Sequence, residues 1–270
     1  MDVVITYYNT RILVGGSDTR PNLFPGPGSR GAGRPSSKGR TPSAACSTLL
    51  AGPSYRVEPN LVAREEAFAV AGTTDLTRLL VAIAKLDHKA AVDLLNATPS
   101  LATAGLARRD EFFLAERLAQ VYQGDTALHA AGFSYDPDMA RELITRGADI
   151  RARNRRGAQP LHAAVIGVPD SPSWNPTRQR DVILTLIEAG ADPNAAAAGG
   201  VTPLHRAVRN RCSAAVEALL RAGADPRLQN DSGSTPSDLA HWTTGRGGTG
   251  ASAAKAEQRV ILELLEINTG

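Results

Sequence analysis

Thr202-Pro203-Leu204-His205, closed in the same unit by Gly223-Ala224-Asp225, is the stretch on which the fold turns. The hydroxyl of Thr202 can cap a helix, and Pro203 suits the first helical position, where its missing N–H leaves no bond unmade. Leu204 and the small residues after it, Ala207 and Val208, let a neighbouring helix lie close. Gly223 stands where a left-handed residue ends a helix. Working outward, the opening recurs as Thr126-Ala127-Leu128-His129, Gln159-Pro160-Leu161-His162 and Thr235-Pro236-Ser237-Asp238-Leu239-Ala240. From His129 to His162 is 33 residues, and from Thr202 to Thr235 is 33. His162 to His205 is 43, one period plus an insertion of ten. The closing marker keeps that rhythm: Gly147-Ala148-Asp149, Gly190-Ala191-Asp192 and Gly223-Ala224-Asp225 are spaced by 43 and 33.

Two markers in register over several copies resemble the ankyrin-repeat family, whose repeat opens on a TPLH-type motif and closes on a GAD-type one; the match is clear over residues 124–270. The resemblance implies an all-α class: an α-solenoid of helix-turn-helix pairs with β-hairpin fingers. It also implies a non-enzymatic module that binds another protein along its concave face and finger tips, with no cofactor. By family position the contacts would come from Asn154, Arg155, Arg156 and Ala158 at one tip, and Ala197, Ala198, Gly199 and Val201 at the next. Asn230, Asp231, Ser232 and Ser234 form the third tip, and Phe133, Ile166, Gly167, Arg209 and Asn210 come from the first helices. The sequence departs from the pattern at Gln159, which replaces Thr and weakens that helix start, and at Ser237 and Asp238, which replace Leu and His.

The repeats read as residues 124–153, 154–196, 197–229 and 230–268, within a domain spanning 63–270. Asp136-Pro137 and Asn175-Pro176 each pair a cap residue with proline and mark second helices. Upstream, residues 73–106 read as a degenerate first repeat, with Leu79, Leu80, Ile83 and Ala84 at helical spacing, and then Ala91, Val92, Leu94 and Leu95. Residues 107–122 lack the repeat pattern. Phe112, Phe113, Leu114, Leu118, Val121 and Tyr122 there predict an inserted amphipathic helix. Lys255 to Ile267 predicts a terminal capping helix, with Val260, Ile261, Leu264 and Leu265 toward the stack. Residues 168–178 and 243–254 read as long loops between paired helices, the second flexible because it is rich in glycine.

Residues 1–62 read as a disordered Gly/Pro/Ser/Arg-rich tail, with little to offset the entropy of ordering. Within it Val3-Val4-Ile5-Thr6-Tyr7-Tyr8 has strand propensity but no partner strand in view. The chain carries 30 basic and 27 acidic residues, yet residues 1–60 hold seven basic and three acidic, so the basicity belongs to the tail and the remainder is near neutral. That argues against whole-domain nucleic-acid binding and leaves the tail as either a polyanion-binding arm or an unstructured extension. Only Cys46 and Cys212 occur, which fits a reducing, cytoplasmic setting without a disulfide framework. No apolar run approaches a membrane span, and Met-Asp at the start does not read as a signal peptide. The chain is expected to be monomeric.

Catalytic chemistry finds little support. His129, His162 and His205 share one repeat position, but helices packed about 8–10 Å apart cannot bring equivalent imidazoles to one ion. The reading preferred is a histidine that hydrogen-bonds the repeat's own turns. Gly245-Arg246-Gly247-Gly248-Thr249-Gly250 lacks the Lys-Ser or Lys-Thr of a phosphate loop. Cys212 lies about two helical turns from His205, and a small buried residue is the simpler reading. Two surface features invite a binding role. The finger Arg151, Arg153, Arg155 and Arg156 could pair with acidic side chains or with phosphates, including those of a nucleic acid, or be a solvated charged turn. Trp174, in the loop from Val168 to Pro176, could anchor an interface or fold back over the helix pair.

Overall fold

Proline and a capping side chain set most of the helix starts, and the observed elements follow them. The computed structural model of the chain describes residues 5–7, 10–12, 74–169, 171–242 and 252–269. The tail read over residues 1–62 lies outside the described residues apart from two strands, and so does most of the glycine loop at 243–254. The chain divides into two units, Met1–Arg56 and Val57–Gly270. In the first, β1 (Ile5–Tyr7) pairs antiparallel with β2 (Thr10–Ile12), Ile5 opposite Ile12. The partner strand the sequence reading did not find is therefore the segment that follows at once.

In the second unit the described residues form five helix pairs. They are α1 (Asp75–Ala84) with α2 (His88–Ala97), α3 (Ala127–Phe133) with α4 (Pro137–Thr145), and α5 (Pro160–Ala164) with α6 (Pro176–Glu188). Then come α7 (Pro203–Asn210) with α8 (Ser213–Arg221), and α9 (Pro236–Trp242) with α10 (Ser252–Thr269). One continuous core runs through them, from Leu79, Leu80 and Ile83 through Leu128, Leu161 and Leu204 to Ile261 and Leu265. Small residues set the spacing. A Cβ added at Gly132 would sit 2.9 Å from the Pro160 carbonyl oxygen and 3.1 Å from the Ala164 nitrogen, so α3 and α5 touch backbone to backbone there. Gly147, Gly190 and Gly223 end second helices with φ of 90°, 102° and 88°.

The turn between paired helices repeats as well. Leu86, Tyr135 and Arg211 are each left-handed, with φ of 58°, 55° and 58°, and each directly precedes the N-cap of a second helix. A non-glycine residue in that region costs on the order of 1 kcal/mol, so the stack must hold the turn in place. Asp87, Asp136 and Asn175 then cap α2, α4 and α6 by accepting from the N–H of Ala90, Met139 and Arg178. Cys212 stands at the same point of α8 and gives no side-chain cap. Glu257 supplies one from the next pair, accepting from the Ser213 N–H at 2.9 Å. Asp136 is fully buried and also receives His88 Nε2 at 2.6 Å, with Arg178 Nη2 at 3.5 Å, which ties three successive pairs together.

The segment expected to be an inserted helix over 107–122 is instead a β-hairpin. Strand β3 (Phe112–Leu114) pairs antiparallel with β4 (Ala119–Val121), and Leu118 between them is left-handed at φ 50°. Burial alternates along both strands: Phe113 is exposed while Leu114 is buried, and Ala119 and Val121 are buried on either side of half-buried Gln120. Of the six apolar residues read as a helical stripe, Leu114 and Val121 face inward on the strands' period of two while Phe113 faces out. Phe and Val favour that pleated setting. Leu114, Ala119 and Val121 join the continuous core. Arg117 Nε donates to the Ala84 carbonyl at 2.7 Å and fixes the hairpin to the end of α1.

Candidate functional site

Two of the three fingers are shaped by an asparagine, and Ala197 holds that place in the middle one. Asn154 Oδ1 accepts from the N–H of Arg156 at 2.9 Å and of Ala158 at 3.1 Å, folding the tip. Asn230 Oδ1 does the same for Ser232 and Ser234 at 2.9 and 3.1 Å. Successive tips then bond sideways. The Arg155 N–H donates to the Gln123 carbonyl at 2.7 Å, that of Ala198 to Arg156 at 2.9 Å, and that of Asp231 to Gly199 at 3.0 Å. The tips thus form one hydrogen-bonded ridge across the repeats. Glycine is required where tips touch: a Cβ at Gly124 would meet the Arg153 carbonyl at 2.9 Å, and one at Gly200 the Asp231 N at 2.8 Å.

The histidines bolt the ridge to the helices. The backbone N–H of Thr126, Gln159 and Thr202 donates to Nδ1 of His129, His162 and His205 at 3.2, 3.3 and 3.3 Å. The proton is therefore on Nε2, which donates onward to the carbonyls of Ala158, Val201 and Ser234 at 3.1, 3.1 and 3.0 Å. Each imidazole caps its own helix and holds the next finger. Burial lowers the pKa of all three, for His162 to about 3, so they stay neutral. Asp238 takes the position in the last pair. Its Oδ2 accepts from the Thr235 N–H and hydroxyl, both at 2.8 Å, and those bonds hold its carboxyl below the ordinary carboxylate range. Among the described residues no group of three or more His, Cys, Asp or Glu side chains gathers as a metal site. Cys212 is buried, and burial pushes its thiol up to about 12, which leaves no thiolate for nucleophilic chemistry.

The residues put forward for partner contact divide sharply. Arg155, Arg156, Ala198, Arg209, Asp231 and Ser232 are exposed, and five of these six lie on the ridge. Asn154, Ala158 and Asn210 are buried and serve the fold. Asn154 Nδ2 donates to Asp125 at 2.8 Å, the Ala158 carbonyl holds His129, and Asn210 Nδ2 donates to the Val165 carbonyl at 3.1 Å. Phe133 and Gly167 are buried too. Ile166 is half-buried, its carbonyl accepting from the Tyr135 hydroxyl at 2.6 Å. Trp174 is half-buried, and its Nε1 donates to Gln179 Oε1 at 3.0 Å.

The arginine finger is already occupied. Arg155 forms a two-point ion pair with Glu111, through Nε to Oε1 and through Nη2 to Oε2 at 3.0 Å. Its guanidinium lies over the Tyr122 ring at 4.8 Å, and that of Arg156 at 5.3 Å, with Arg156 Nη1 donating to the Tyr122 hydroxyl at 3.1 Å. Arg153 Nη1 donates to the carbonyls of Gly157 and Ala196 at 2.8 and 2.7 Å. Sequence reasoning missed Glu111 altogether, because it lies 44 residues from Arg155 and no local pattern links them.

Two family models match the chain. One, described as Ankyrin repeats (many copies), matches residues 186–240, and the other, described as Ankyrin repeat, matches residues 123–155. No curated protein matches it.

Proposed function

We propose, from the premise that this chain belongs to the ankyrin-repeat family, that it is a non-enzymatic module which binds another protein along the exposed ridge of its finger tips. Ankyrin repeats generally mediate protein–protein interaction. The observation that carries the reading is the sideways hydrogen bonding of successive tips, Gln123 to Arg155, Arg156 to Ala198 and Gly199 to Asp231. That bonding presents Arg155, Arg156, Ala198, Asp231 and Ser232 on one preorganised strip, so little ordering entropy is lost on binding. Arg209, exposed on α7, extends the surface toward the first helices.

The test compares partner capture by the full chain with capture by Ala198→Asp/Ser232→Trp. Both residues are exposed, so the melting temperature should not move. Partners held by the unmodified chain should be lost from the variant. Retention of the same partners at the same yield would refute a ridge-centred interface.

A further inference from the structure

The carboxylate of Glu111 does not merely touch Arg155; it sits in a socket with three donors. Oε1 accepts from the Gln123 N–H at 2.8 Å and from Arg155 Nε, and Oε2 accepts from Arg155 Nη2 at 3.0 Å. The planar guanidinium matches the planar carboxylate in both contacts, which a point charge could not do. Tyr122 lies beneath that plane and orients it, and Arg156 faces the same ring. The backbone donor is fixed as well, since Gln123 belongs to the finger ridge through its carbonyl bond from the Arg155 N–H. Thus Arg155 and Gln123 of the socket belong to the ridge, while Tyr122 and the occupant Glu111 are carried by the insertion.

The occupant is weakly held. The side chains of Arg155 and Glu111 are 43% and 19% exposed, so water and salt reach the pair. The stretch that delivers Glu111 is a single 3-10 turn, Arg108–Asp110, with no buried residue. Its arginines, Arg108 and Arg109, are exposed; the Arg155 hydrogen bond is the largest cause lowering the pKa of Glu111 and Arg108 is near enough to add to it, while Arg109 lies 3.9 Å from the Asp110 carboxylate. Once Glu111 swings out, a second carboxylate meets the same three donors, and further acidic residues meet Arg108 and Arg156.

We propose that the Arg155–Gln123–Tyr122 socket recognises a glutamate or aspartate within an acidic segment of a protein partner, and that Glu111 is its intramolecular placeholder. This rests on the ridge-binding reading and names the partner chemistry at one end of the ridge. Glu111 then lowers affinity for any single carboxylate and favours segments with several acidic residues, which reach the flanking arginines as well.

The experiment is an anisotropy titration of a labelled oligo-glutamate peptide against the full chain and its variants, with a single-stranded oligonucleotide of matched charge in parallel. Glu111→Gln should bind the peptide about two- to fivefold tighter than the unmodified chain, the range expected when an exposed intramolecular ion pair no longer competes. Arg155→Lys keeps the charge but removes the fork, and should bind more weakly than Glu111→Gln although it too releases Glu111. Unchanged helical circular dichroism confirms that each variant is folded, and should the Gln variant unfold, Arg155→Lys against the unmodified chain carries the comparison. Equal peptide affinity in all three proteins overturns the proposal. Tighter binding of the oligonucleotide than of the peptide by Glu111→Gln also overturns it, in favour of a polyanion site. If the peptide fails to bind while Ala198→Asp/Ser232→Trp still abolishes partner capture, only the socket proposal falls.

Discussion

His205 in the central repeats and Asp238 in the last occupy the same repeat position and do different amounts of work. Both close a capping box on a threonine, His205 on Thr202 and Asp238 on Thr235. His205 is buried and also spans to the Ser234 carbonyl of the next finger, whereas Asp238 is exposed and, among the described residues, its hydrogen bonds are those of its own cap. The position therefore carries two separable tasks, a local cap and a bridge between repeats. The bridge needs a long side chain with an acceptor at one end and a donor at the other; a short carboxylate suffices for the cap.

The largest expected effect is acid sensitivity confined to the central repeats. His129, His162 and His205 all have folded pKa values below the ordinary 6.5, His162 at about 3, because burial disfavours the cation. Below pH 6.5 the unfolded chain takes up protons that the folded chain refuses. Stability is thus full above about 6.5 and falls as pH drops; for His162 the loss runs down to about 3 at about 1.4 kcal/mol per pH unit, and His129 and His205 add losses in the same direction. Urea midpoints measured across that range should show the slope. Asp238 adds its own loss only as pH falls below the ordinary carboxylate value of 3.8. A flat profile between pH 6 and 4 would erase the contrast.

Next comes His162→Ala. It opens a cavity and strands the Val201 carbonyl and the Gln159 N–H, at a cost of about 2–4 kcal/mol in urea unfolding. Asp238→Ala should cost clearly less, since it removes a cap alone; equal losses would mean the bridge contributes nothing. Gly132→Ala follows, at about 1–3 kcal/mol, because the new Cβ would lie 2.9 Å from the Pro160 oxygen. Its measurement is the melting temperature, and an unchanged value would show that α3 and α5 can move apart freely. Smallest is a gain. Gln159 stands where Thr202 caps, yet its Oε1 is buried with no hydrogen-bond partner among the described residues. Gln159→Thr should stabilise by about 1 kcal/mol in the same unfolding assay, bringing the weakest central start level with its neighbours.

The stack of helix pairs was legible because its signals are local. Asp136-Pro137, Asn175-Pro176 and Thr202-Pro203 each place a capping oxygen and a preset φ within a few residues, and the structure uses all three. The candidate contacts were less legible. Position in a repeat names Asn154, Ala158 and Asn210 as readily as Arg156 or Ser232, yet the first three turn inward to satisfy backbone groups of the fold. Residues 107–122 misled for a different reason. Their apolar spacing suits a helix face and a strand pair equally, and what decided between them is the core that Leu114, Ala119 and Val121 join, built by residues distant in sequence.

The sequence by itself determined the period, the helix starts and stops, and hence a stacked array of helix pairs, because a cap or a left-handed glycine depends on neighbours within one turn. Tertiary structure alone decided that Glu111 meets Arg155 across 44 residues, that residues 112–121 pair as strands, and that some finger residues are hidden while others form a ridge. Those outcomes depend on which surfaces the stacked pairs bring together, and no short window of residues contains that information.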